Sequence, residues 1–148
     1  MLWIKTFFGI LFQTLLLGIF LYLPALTLNW PDAFLFLTIH LLITILASAY
    51  LLIVKPASIE ARMNYDSETQ PKEDRLATVL MLSAIVVGLS LAPIDIFHLS
   101  LSSNFEGDIK NIGLGLYIFG MLLVMASMNA NEFAETTVNI QEERGQKV

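Results

Sequence analysis

The stretch from Ala33 to Val54, AFLFLTIHLLITILASAYLLIV, contains no Asp, Glu, Lys or Arg, and is bounded by Asp32 and Lys55. A helix rises about 1.5 Å per residue, so about 20 apolar residues cross the roughly 30 Å of bilayer hydrocarbon. Working outward, three more charge-free runs meet or approach that length. They are Thr6 to Pro31, Leu76 to Ile94, and Asn111 to Asn131, closed by Lys5, Asp32, Arg75, Asp95, Lys110 and Glu132. Lipid offers the backbone no hydrogen-bond partner, so each run must pair its amides and carbonyls internally, as a helix does. The expected fold is therefore all-α, a four-helix transmembrane bundle. Its spans are expected at about 6–28, 33–54, 76–95 and 111–131, followed by a polar tail over 132–148.

Composition supports this reading. The chain of 148 residues is 56% hydrophobic and 14% charged, where soluble domains run near about 25% charged. A single domain of that length cannot hide so much apolar surface from water, whereas lipid accepts it. Cysteine is absent, which excludes disulfides, thiol catalysis and cysteine-ligated metals. The formal charge is −5 and no basic run occurs, which argues against a nucleic-acid partner.

Boundaries and orientation are also legible. Pro24 lies near the end of the first span, and Pro31 suits the first position of the second, where a missing N–H does no harm. Pro71 suits the first turn of the third helix, with Glu73 and Asp74 at its positive dipole end, and Pro93 should kink or end that helix. Trp3, Tyr22, Trp30 and Tyr50 lie near span ends, as an interfacial aromatic belt requires. The first span is too long, and lacks a small-x-small site, to read as a cleaved signal peptide. Seven of the eight Lys and Arg residues fall on one side: Lys5, Lys55, Arg62, Lys72, Arg75, Arg144 and Lys147, against Lys110. The positive-inside rule places both termini and the Lys55–Arg75 loop, polar over Asn64 to Glu73, in the cytoplasm.

Few residues carry candidate chemistry. His40 sits mid-span, where an ionisable group is either functional or a neutral imidazole bonded to a neighbouring helix. Asp95, His98, Glu106 and Asp108 cluster in sequence at the outer end of the third span, but with no diagnostic metal-ligand spacing, so no metal site is expected. Ala84, Gly88 and Ala92 recur every four residues and are expected to pack against another helix or a partner, with Gly113, Gly115 and Gly120 acting likewise. No Ser, His and acid form a catalytic constellation. Asn129, Asn131, Glu132 and Glu135 read as the solvated end of the fourth helix.

The tail adds a resemblance. Asn131, Val138, Ile140, Gln141, Arg144, Gly145 and Val148 match, in order, a pattern of the isoprenylcysteine carboxyl methyltransferase-like family, in which Asn-x-Phe-Phe leads through Val-x-Ile-Gln to Arg-Gly-His and a Val. Pro56 to Arg62, Asp74, and Pro93 to Phe97 with Asp95 are similar to the family's upstream spacing. The resemblance implies a multi-pass membrane methyltransferase using S-adenosylmethionine, and a lipophilic substrate entering from the bilayer. It marks Asn131, Gln141, Arg144, Gly145 and Gln146 as family cofactor-motif positions, with Gln146 replacing the usual His. The family's Gly-Pro-Tyr and Arg-His-Pro-x-Tyr segments do not occur in these residues. The expectation is thus an N-terminal portion, inactive alone, with no catalytic residue of its own. The alternative is a small non-enzymatic four-span protein acting through helix packing.

Overall fold

The computed structural model describes residues 1–63, 72–101 and 108–130. Among them every regular element is helical. The elements are α1 (Leu2–Ala25), α2 (Pro31–Val54), a short α3 (Pro56–Met63), α4 (Lys72–Ile94), a π-helical turn (Asp95–Leu99) and α5 (Asp108–Ala130). Among the described residues four helices are long and apolar enough to cross a membrane: α1, α2, α4 with its π-helical turn, and α5.

Proline sets the boundaries much as expected. Pro24 stands in the last turn of α1, which closes on Leu26 in the left-handed region at φ 54°. Pro31 is the first residue of α2, with Asp32 in its first turn. Pro93 is buried, and α4 passes into the π-helical turn just beyond it, where Asp95 caps the exit. The Asp95 carbonyl accepts the Ser100 N–H at 2.7 Å, and its carboxylate accepts the Leu101 N–H at 2.7 Å. Pro71 lies outside the described residues.

Within the segment expected to connect the second and third spans, a short helix, α3, follows directly on Lys55, ahead of the polar stretch that begins at Asn64. Pro56 opens that helix, and Ser58 and Ile59 turn inward. Ile59 joins Leu51, Leu52 and Met128 in a small core, with Leu2 and Met63 packed against it. One end of the molecule is thus held by residues from four helices.

The principal packing contacts run in the order α4, α1, α2, α5. At the end opposite the core, His98 Nε2 lies 2.8 Å from the Pro24 carbonyl, and Lys110 Nζ donates to Asp32 at 2.6 Å. These two contacts tie helix ends together in the alternating up-and-down sense that four successive spans require. Inside the protein, 17% of the apolar window is buried in each of α1 and α2, and 6% in each of α4 and α5. A helix apolar all round with so little of it covered has its remaining surface in lipid.

The small-residue faces do not pack within the described part of this chain. Ala84, Gly88 and Ala92 are all exposed, and a Cβ at Gly88, Gly113, Gly115 or Gly120 meets nothing within 4 Å among the described residues. The inward face of α4 instead carries Val86, Leu89, Ser90 and Pro93. At about 100° per residue, those positions lie across the helix from the small residues. Close approach falls on α1: a Cβ at Gly18 meets Leu37 at 3.7 Å, and one at Gly9 meets Met63 at 3.8 Å. Gly18→Leu is therefore expected to destabilise the bundle in detergent by about 1–3 kcal/mol through overpacking. Gly88→Leu should leave it unchanged, and equal losses from the two variants would contradict this packing.

Candidate functional site

Two partly open pockets lie along α2 and α5, and one polar contact joins these helices between the Thr44 level of the first and the Phe36 level of the second. On α2 the register runs Phe36, His40, Thr44, each one turn apart. His40 Nδ1 is hydrogen-bonded to the Tyr117 hydroxyl of α5. His40 is 4% exposed, and its Nε2 is buried with no hydrogen-bond partner among the described residues. Phe36 completes a ring cluster, with its centroid 4.8 Å from Tyr117 and 6.5 Å from His40. The expectation of a neutral imidazole bonded to a neighbouring helix thus finds its partner in Tyr117, a residue that no local pattern in the sequence marks.

The inner cavity, about 360 Å³, lies on the core side of this contact. Thr6, Gly9, Ile10 and Gln13 of α1 line it, with Thr44, Ala47, Ser48 and Leu51 of α2 opposite. Ile59 and Met63 of α3 close one end, and Met121, Val124, Met125 and Met128 come from α5. Two of its apparent polar groups are apolar in effect. The Thr6 hydroxyl donates to the Leu2 carbonyl at 3.0 Å and Thr44 to the His40 carbonyl at 2.8 Å, so both hydroxyls are satisfied within their own helices. Thioether side chains adapt to irregular apolar shapes. Met121, Met125 and Met128 recur at helical spacing along one face, the one signal in the sequence that points to this wall.

The outer cavity, about 580 Å³, lies on the other side. Trp30, Leu35, Phe36, Ile96, Leu114 and Tyr117 form much of its wall, and the Asp32–Lys110 pair stands at its lining. Both charged side chains are more than half exposed, at 57% and 56%. A pair so placed contributes little to stability, typically about 0.2–1 kcal/mol.

The acids and histidine weighed above as metal ligands take structural roles where they are described: Asp95 caps the π-helical turn and His98 reaches the Pro24 carbonyl. Asp108 stands in the first turn of α5, and Glu106 lies outside the described residues. Among the described residues no three potential ligands gather in a metal-binding group. Asn129 is half-buried, with Tyr50 Oη 3.5 Å from its side-chain oxygen. The family-motif positions Asn131, Gln141, Arg144, Gly145 and Gln146, with Glu132 and Glu135, lie outside the described residues.

Fold and site together define an integral, multi-pass membrane protein with a largely apolar, partly open pocket between its helices. Comparisons with family models, with curated proteins and with solved structures give no match.

Proposed function

We propose that this chain is the membrane-embedded N-terminal portion of an isoprenylcysteine carboxyl methyltransferase-like enzyme, inactive by itself, whose inner cavity receives the apolar part of a lipophilic substrate. One observation carries the reading. Met128 lines the inner cavity two residues before α5 ends at Ala130, and the tail bearing Asn131, Gln141, Arg144 and Gly145 continues from that end. A hydrocarbon chain lying along this pocket with its head toward Met128 would have that head near Ala130, from which the sequence continues into Asn131. Methyl transfer needs donor and acceptor held together in line, and such placement brings the two toward one another.

S-adenosylmethionine binding tests the reading. A Kd of 1 μM corresponds to about 8 kcal/mol, beyond what a few tail hydrogen bonds supply at about 0.5–1.5 kcal/mol each. Calorimetry of this chain alone in detergent should show no micromolar binding. Adding in trans a half that carries Gly-Pro-Tyr and Arg-His-Pro-x-Tyr should create it. Arg144→Ala should then weaken it about tenfold or more, as losing a charged hydrogen bond does. Micromolar binding by the 148 residues alone would overturn the division of labour proposed.

The same reading places both termini and the 55–75 segment in the cytoplasm, supported by the seven-to-one distribution of Lys and Arg. The chain has no cysteine, so Ser67→Cys and Ser102→Cys each introduce a lone thiol. An impermeant thiol reagent applied to intact cells should label the second and spare the first. Labelling of Ser67→Cys from outside would invert the topology.

The exposed Ala84, Gly88, Ala92 face favours a second reading, a non-enzymatic protein whose α4 packs on a partner helix. The codons that follow Val148 separate the two. In-frame Arg-His-Pro-x-Tyr supports the enzyme, and an immediate stop codon supports the packing protein.

A further inference from the structure

We propose that the outer cavity is a headgroup site for a zwitterionic phospholipid, in the leaflet at the end of the bundle opposite the core. The proposal rests on the membrane placement of the four helices and is independent of the methyltransferase reading.

Register sets an order of polarity along the cavity. On α2, Asp32 stands one turn before Leu35 and Phe36, and on α5, Lys110 and Asn111 precede Leu114 and Tyr117. Both helices begin at this end, so charge lies at the mouth and the apolar and aromatic wall lies farther into the spans. A phospholipid carries the same order along the bilayer normal, with its charges outermost and its hydrocarbon below. Trp30 marks the level, because tryptophan favours the membrane interface. Its ring is held there by two others, with centroids 5.3 Å away at Phe97 and 6.3 Å away at Tyr22.

Charge selects the headgroup. Clustered bases draw anionic lipids. Here Lys110 is matched by Asp32 at 2.6 Å, and Asp108 stands in the same first turn of α5. An anionic headgroup therefore meets a neutralised cation and further acid. A zwitterion set antiparallel to the pair places its phosphate by the Lys110 ammonium and its own ammonium by the Asp32 carboxylate. The Trp30 ring adds a face for that ammonium. The pair retains capacity for both contacts. Its hydrogen bond uses one carboxylate oxygen, Oδ2, while a carboxylate has two oxygens and an ammonium three donors. Both side chains are also more than half exposed.

Lipid retention tests the site on the full chain. The protein is equilibrated in micelles holding equal amounts of phosphatidylcholine and phosphatidylglycerol. The lipid that stays bound through mild delipidation is counted by native mass spectrometry. Partly exposed charges act weakly, so phosphatidylcholine should exceed phosphatidylglycerol by about fivefold. Asp32→Asn removes the acid of the pair and should reverse the preference. Lys110→Met should abolish retention of both lipids. The ion pair adds little to stability, so these variants should keep the unfolding midpoint of the unaltered chain. Asp32→Lys combined with Lys110→Asp exchanges the two charges and should restore the preference for phosphatidylcholine, which serves if a single variant misfolds. Soluble glycerophosphocholine at millimolar concentration should displace nothing, and displacement would overturn the assignment to lipid. Equal retention of the two lipids, or a folded Asp32→Asn chain that still prefers phosphatidylcholine, would overturn the headgroup site.

Discussion

Ile85→Arg is expected to raise the free energy of inserting α4 into a bilayer by about 3 kcal/mol, on the order of a 100-fold shift against the inserted form. Ile85 lies midway along the charge-free run from Leu76 to Ile94 and is 50% exposed. The sign of the effect is diagnostic. On a helix facing water, exchanging an exposed Ile for Arg removes apolar surface from solvent and costs little. On a helix facing lipid it places a cation in hydrocarbon, where it must snorkel or drag water inward. An insertion assay reporting on glycosylation sites flanking α4 reads the difference. Insertion as efficient as that of the unaltered helix would refute the placement of this face in lipid.

Leu51→Ala should destabilise the folded bundle by about 2–5 kcal/mol, the range for large-to-small changes in a packed core. Leu51 is 2% exposed, packs with Leu52, Ile59 and Met128, and also lines the inner cavity. Leu46→Ala is the matched control. Leu46 lies on the same helix at 69% exposure, so lipid closes over the truncated side chain and leaves no void. Its effect should fall within about 0.5 kcal/mol, as for surface positions in general. Unfolding in mixed micelles, followed by helical signal, measures both. Equal losses would mean that the cluster at the α3 end is not what holds the helices together.

The two variants mark where sequence reasoning succeeds and where it stops. Charged residues bracket each apolar run, and lipid forces the backbone between them into a helix, so the four spans are readable from Lys5, Asp32, Lys55, Arg75, Asp95, Lys110 and Glu132 alone. Pro31 at the start of α2 and Pro93 just before the end of α4 follow from the chemistry of proline. Helix α3 is not legible in the same way, despite Pro56 and the Ile59–Met63 spacing, because its eight residues are too few for periodicity to stand out from a polar segment.

His40 is visible as a lone ionisable residue in a span, but its partner is not. Tyr117 lies far along the chain, and nothing local marks it as the group that faces His40. The Ala84, Gly88, Ala92 spacing points to close packing, yet α4 turns Val86, Leu89 and Pro93 inward instead. In a soluble helix, water selects the outer face and leaves an amphipathic stripe that names the inner one. In lipid, outside and inside are equally apolar, so that stripe is erased. Span number and helicity are therefore properties of this sequence taken segment by segment, whereas the limits shift by a few residues: α1 runs Leu2–Ala25 where about 6–28 is expected, and the third helical run reaches Leu99 rather than 95. Which faces meet, the α4–α1–α2–α5 order, and the pockets on either side of the His40–Tyr117 contact arise only when the helices pack, because shape complementarity and polar contacts between distant segments are what choose among otherwise equivalent faces.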